Sequence, residues 1–181
     1  MRKEKNDHFP DVRKTLLPPI ERGIIQTFTG KMFNVFEPDM NIICIEDIAH
    51  ALSNMCRWGG HTRQFYSVAE HSIRVALELD SRQIQIAALL HDAAEAYLVD
   101  MPRPFKKYIT GYEMIENRVM EAIARKFKFQ YPLPKKVKEM DDYLLELEYS
   151  EQIMQNSPVE RQCLTPKVAE FQFLKFYNNL K

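Results

Sequence analysis

The run Ile84, Ile86, Ala87, Ala88, Leu89, Leu90 is almost unbroken in its apolarity, yet it leads directly into His91 and Asp92 and then into Glu95. A helix this apolar is expected to sit centrally, buried on most sides. Its ionisable groups would then be withdrawn from water with it. Burying an unpaired carboxylate costs several kcal/mol even after relaxation, so such groups pair with a partner or bind a metal. Glu95 follows Asp92 and His91 by three and four positions and so shares their side of a helix. An isolated His-Asp pair more often caps or hydrogen-bonds a neighbouring helix, so its meaning rests on what the rest of the chain supplies.

The remaining pattern predicts an all-α domain with a small N-terminal β-hairpin. Residues 1–22 read as a polar tail ending in Pro18-Pro19, and residues 23–181 as one domain. Ile24 to Phe28 and Met32 to Phe36 are short β-like runs around Thr29-Gly30-Lys31, which predicts a hairpin that Pro38 ends. Ile45 to Met55 has helical spacing. Ser67-Val-Ala-Glu70 is a capping box opening a helix to about Leu79, and Asp80 is the expected cap of the helix that carries His91. Met101-Pro-Arg-Pro104 reads as a loop. Helices are expected from Gly111 to Phe127, from about Lys135 to Ile153, and after Thr165-Pro166, an N-cap followed by proline in the first turn.

Two further segments supply groups that complete a site. His71 lies one turn into the capped helix, and Asp141-Asp142 lies in Val137-Lys-Glu-Met-Asp-Asp-Tyr-Leu-Leu145. Imidazoles and carboxylates from three helices would make a mixed donor set suited to a divalent transition ion.

The order His71, His91-Asp92, Asp141 resembles the H…HD…D signature of the HD-domain phosphohydrolase superfamily. Arg57-Trp-Gly-Gly-His-Thr-Arg63, Tyr66-Ser-Val-Ala-Glu-His71 and His91-Asp-Ala-Ala-Glu-Ala-Tyr-Leu-Val-Asp-Met-Pro-Arg-Pro104 are similar to its small nucleotide-hydrolysing branch. That branch contains bacterial deoxynucleoside 5′-monophosphatases, phage dATP triphosphohydrolases and a phosphohydrolase acting on an adenine-bearing nucleoside antibiotic. The resemblance covers roughly residues 23 to 155. It implies one divalent ion (Co²⁺, Mn²⁺, Fe²⁺, Ni²⁺, Zn²⁺ or Mg²⁺) on His71, His91, Asp92 and Asp141, with Asp142 the neighbouring alternative to Asp141. It implies Glu95 and Asp100 as acids that orient water or shuttle a proton. Arg57 matches a phosphate-binding arginine. His61, Arg63 and Lys106 are candidate contacts to a longer phosphate chain, and Trp58 can wall the sugar and base. His50 is read as structural and His8 as part of the tail.

Bulk properties narrow the partners. With 25 Lys plus Arg against 25 Asp plus Glu, the net charge is zero, which argues against broad capture of nucleic acid or an acidic membrane. Cys44, Cys56 and Cys163 are an odd count without CxxC spacing, which suits reduced thiols and a cytoplasmic protein. No apolar run reaches the ~20 residues of a spanning helix, and the start lacks a signal-peptide pattern. The expected partner is a small-molecule nucleotide, with homodimerisation left open.

The implied function is removal of phosphate from a purine, adenine-type deoxynucleotide or analogue, with di- and triphosphates favoured. A 5′-deoxynucleoside monophosphatase and a non-catalytic nucleotide sensor are the alternatives. A cyclic-nucleotide phosphodiesterase is disfavoured, because the chain has no second histidine cluster for a second metal.

Overall fold

The computed structural model describes residues 23–153 and 162–181; the tail expected over residues 1–22 lies outside them. Two strands, β1 (Ile24–Gln26) and β2 (Met32–Asn34), pair antiparallel with Ile25 opposite Phe33. The hairpin is tied down at its turn and at one side chain. Asp47 accepts hydrogen bonds from the backbone N–H and hydroxyl of Thr29 at 2.7 and 3.0 Å, and the buried Phe33 ring stacks on Tyr97.

Seven α-helices follow among the described residues: α1 (Ile45–Asn54), α2 (Val68–Leu77), α3 (Arg82–Leu89), α4 (Arg103–Lys106), α5 (Tyr112–Phe127), α6 (Lys135–Glu148) and α7 (Pro166–Asn179). The all-α reading with an N-terminal hairpin is therefore correct. One hydrophobic core joins Phe33 of the hairpin, Ile48 and Leu52 of α1, Leu89, Ile123 and Phe173 of α7. No helix among the described residues is long and apolar enough to cross a membrane, and Cys44, Cys56 and Cys163 form no disulfide.

Several details depart from the sequence reading. The central helix is α2, not the apolar α3. Residues Val68 to Ala76 are all buried, and α2 packs against α1, α3, α6 and α7, whereas α3 buries only Ala87, Ala88 and Leu89. Small residues at Ala69, Ser72 and Ala76 leave room for neighbouring helices. The polar residues of α2 stay buried because they have partners, described below. Helix α3 also stops at Leu89, so His91 and Asp92 occupy a turn and Ala93–Ala96 forms a single 3-10 turn. Met101 to Pro104 is not all loop, since the one-turn α4 begins at Arg103. The helix expected to reach Ile153 ends at Glu148 and continues as a π-turn, Tyr149–Ile153.

The caps follow their chemistry with one correction. Ser67 Oγ accepts the N–H of Glu70 at 3.1 Å, and the Glu70 carboxylate accepts the N–H of Leu164 at 2.8 Å, tying α2 to the segment before α7. Thr165 caps α7 through the N–H of Val168. Helix α3 is capped by Ser81, whose Oγ accepts the N–H of Ile84 at 3.3 Å, and not by Asp80. The hydroxyl at Ser81 satisfies a donor that Asp80, one residue further out, does not. Ser81→Ala should therefore lower unfolding stability by about 1 kcal/mol, while Asp80→Ala changes it far less. Urea denaturation of both variants checks this, and equal losses would return the cap to Asp80.

A candidate metal centre

Three chain segments bring four donors together. His71 comes from the middle of α2, His91 and Asp92 from the turn after α3, and Asp141 from α6. His71 Nε2 lies 3.1 Å from Asp141 Oδ1, 3.3 Å from His91 Nε2 and 3.9 Å from Asp92 Oδ2. His91 Nε2 lies 3.1 Å from Asp92 Oδ2 and 3.7 Å from Asp141 Oδ1. Ligands at ~2.1 Å from one ion and at right angles to each other stand about 3 Å apart, so this spacing fits a single small divalent cation. His71, His91 and Asp141 form a group able to hold a metal ion.

The imidazoles are oriented from behind. Nδ1 of His71 meets Glu148 Oε1 at 2.8 Å, and Nδ1 of His91 meets the Ala88 carbonyl at 2.7 Å. Both acceptors require a proton on Nδ1, so in the neutral imidazoles each Nε2 lone pair is turned into the cluster, as metal-binding histidines require. The electrostatics also ask for a cation. Burial works against charge on His91, yet Asp92 and Asp141 outweigh it and raise the imidazole well above its ordinary range. Burial likewise favours the neutral forms of Asp92 and Asp141, but the two imidazoles hold both below the usual carboxylate range.

The geometry favours Asp141 over Asp142. Asp141 Oδ1 points into the cluster, while Asp142 is largely exposed and pairs with Arg103 at 2.6 Å. Arg103 bridges the two, since its other nitrogen meets Asp141 Oδ2 at 2.5 Å.

A cavity of about 830 Å³ opens over the cluster, and its wall includes His91, Asp92 and Asp141 with Arg57, Trp58, His61, Glu95, Asp100 and Lys106. His71 lies behind this wall, fully buried. Of the expected phosphate contacts, Arg63 is not brought to the cavity: its guanidinium donates to the Glu151 carbonyl. Lys106 lines the cavity but lies 2.5 Å from Glu116. Arg57 is buried, its Nε 3.3 Å from Glu148 Oε2 and its Nη1 3.5 Å from Asp92 Oδ2. Burial opposes its charge, and these carboxylates more than restore it. Trp58 adopts a left-handed φ of 59° and is followed by Gly59 and Gly60 in the same region, so the backbone coils tightly between Arg57 and His61. Its ring packs against Tyr149 at 5.8 Å. His50 is structural as expected, stacked on Phe28 and 3.2 Å from Glu170.

Glu95 is nearly buried in the cavity wall, and its Oε2 has no hydrogen-bond partner among the described residues. Burial, with repulsion from Asp92 and Asp100, raises it well above the ordinary carboxylate range. Asp100 is raised too, chiefly by burial.

Sequence reasoning missed Glu148 and the network around it. This fully buried carboxylate receives Tyr66 Oη–H at 2.5 Å besides His71, and Arg74 Nη1 lies 3.6 Å away and reaches Glu151 at 3.1 Å. A signal was available, since Glu148 follows Asp141 by seven positions on the stripe that buries Val137 and Leu144.

The chain matches no protein-family model. It is 37% identical over 126 residues to the uncharacterized protein YfdR of Escherichia coli K12, spanning 70% of each protein. The chain belongs to the YfdR family. A second member, an uncharacterized Rhodobacter capsulatus protein, is 37% identical over 129 residues, which cover 66% of this chain and 65% of that one. The names of these YfdR-family relatives assign no activity, so the chemistry of this chain is argued from its own side chains.

Three substitutions test the centre. Asp141→Asn should lose the ion while Asp142→Asn keeps it. Glu148→Gln, which retains shape but not charge, should weaken divalent-ion binding roughly 10- to 100-fold. Metal titration of variants shown by circular dichroism to be folded measures all three. Unchanged affinity in Glu148→Gln would mean that His71 is held without it.

Proposed function

We propose that this chain is an HD-type, metal-dependent phosphohydrolase that removes phosphate from a nucleotide. The observation that carries the reading is the group of His71, His91 and Asp141, with Asp92 3.1 Å from His91, beside a cavity that holds cations and an unpartnered buried carboxylate. These side chains would hold a divalent ion, which would supply a Lewis acid for a phosphate oxygen and for the attacking water.

The chain's own residues do the rest. Glu95 is the acid-base group: it faces the cavity, and its unpartnered oxygen is available to hold the proton that water loses or to return it to the leaving oxygen. Asp100, in the same wall, favours that protonated state by repulsion. Arg57 keeps Asp92 in place by bridging it to Glu148 and offers positive charge to the phosphate across the wall. Apolar wall residues, among them Met120, Tyr131, Leu133 and Leu145, provide a surface for a sugar and base. A cavity of about 830 Å³ has the size for a nucleotide bearing several phosphates. The purine deoxynucleotide preference, the favouring of di- and triphosphates and a cytoplasmic setting belong to the same proposal. They rest on the likeness of Arg57 to Arg63 and His91 to Pro104 to the nucleotide-hydrolysing branch and on the cysteine pattern.

Phosphate release from a panel of nucleoside mono-, di- and triphosphates, with added Co²⁺, Mn²⁺ or Mg²⁺, tests the reading. Wild type should release phosphate only with metal. Glu95→Gln should keep its ion and lose roughly a hundredfold or more in kcat. No release from any nucleotide by the metal-loaded wild type would overturn the proposal, and an unchanged kcat in Glu95→Gln would remove that residue from the chemistry.

A further inference from the structure

Which cation of the cavity is available to a phosphate group depends on what each already holds. The Arg57 side chain is 9% exposed and bound to a Glu148 carboxylate that is 0% exposed, so withdrawing it would leave a buried charge unpaired. Lys106 is held by Glu116, itself mostly buried. Arg103 differs. Its side chain is 54% exposed, and its partner Asp142 is 63% exposed. An ion pair this open to water contributes little, and parting it buries no charge.

Position and shape favour the same residue. Arg103 Nη2 bonds Asp141 Oδ2, and Oδ1 of that carboxylate lies in the donor cluster, so the guanidinium stands one carboxylate away from the ion site. Pro102 and Pro104 flank it at the start of α4 and restrict the backbone, leaving movement to the side chain. A planar guanidinium can fork onto two phosphate oxygens with charge-assisted hydrogen bonds, which outcompete a solvated carboxylate partner. Lys138, one turn before Asp141 on α6, lines the same cavity.

We propose that Arg103 is a substrate-binding residue, which exchanges Asp142 for a phosphate oxygen of the substrate while Asp142 serves as its resting partner. The assignment rests on the phosphohydrolase reading and adds to it the residue that recognises the phosphate from solution. Neither the metal ligands nor the fold depend on it.

The test uses full-length protein loaded with Mn²⁺ and freed of excess ion, titrated calorimetrically with inorganic phosphate at low ionic strength. Arg103→Gln should weaken phosphate binding roughly tenfold or more with unchanged metal content. Arg125→Gln, which removes an exposed cation paired with Glu121, controls for net charge and should bind as wild type does. Asp142→Asn should strengthen phosphate binding several-fold in the wild-type background and have no effect in the Arg103→Gln background. Equal binding by wild type and Arg103→Gln would overturn the assignment and leave the phosphohydrolase reading standing. Loss of the ion in Arg103→Gln would overturn it too, because the residue would then serve only to hold Asp141. A metal-loaded wild type that binds no phosphate would also overturn the assignment, while release from the nucleotide panel decides the phosphohydrolase reading separately.

Discussion

Glu148 is a charged group with no access to water, and much of the site is arranged around that fact. Its charge is compensated by Arg57, Arg74, the Tyr66 hydroxyl and the Nδ1 side of His71, which come from α2 and from the segment between α1 and α2. Burial alone would push this carboxyl up, but His71 and Arg57 hold it below its ordinary range. Removing one partner from such an arrangement costs about 3–5 kcal/mol, so these residues keep one geometry. That geometry aims the other face of His71 at His91 and Asp141. Rigidity behind the site and donor convergence in front of it are two consequences of one buried charge.

The same network explains the central position of α2. A helix carrying Glu70, His71 and Arg74 looks too polar for the middle of a core, yet Glu70 reaches the backbone of Leu164, His71 reaches Glu148, and Arg74 reaches Glu148 and Glu151. Hydropathy counts what a residue costs without a partner. The partners here lie 74 to 94 positions away in the chain, where periodicity cannot see them. For that reason the sequence reading gave the central place to the more apolar α3.

The helices and the hairpin were legible because each has a local cause: apolar spacing, a hydroxyl cap, a proline in the first turn, a glycine between two β-like runs. The donors His71, His91, Asp92 and Asp141 were legible because their residue types and order are specific. The break of α3 before His91 was not, because Ala93 to Ala96 has strong helix formers and the turn is fixed by tertiary contacts. Arg63 was expected as a further contact to a longer phosphate chain, in the Arg57 to Arg63 stretch that resembles the nucleotide-hydrolysing branch. The chain folds back between them, with Arg57 N–H bonded to the Tyr66 carbonyl, and Arg63 ends on Glu151 instead. Glu148 meets the site through His71 and Arg57, and Arg103 stands beside Asp141, relations that appear only once α6 is laid against its neighbours.

On the proposed reading, a metal ion joins segments which otherwise place two carboxylates and two imidazoles face to face. An ion at a hundredfold excess over its Kd stabilises the folded form by about 2.7 kcal/mol, and for a chain of this size that is a melting-temperature change of about 5–10 °C. Differential scanning calorimetry of the wild type and of Asp92→Asn, each with Mn²⁺ and with a chelator, measures it directly. Chelation should lower the wild-type melting temperature by this amount and leave Asp92→Asn unmoved, at or above the chelated wild type. A wild type that melts at one temperature in both runs, with removal of the ion confirmed by elemental analysis, would contradict it.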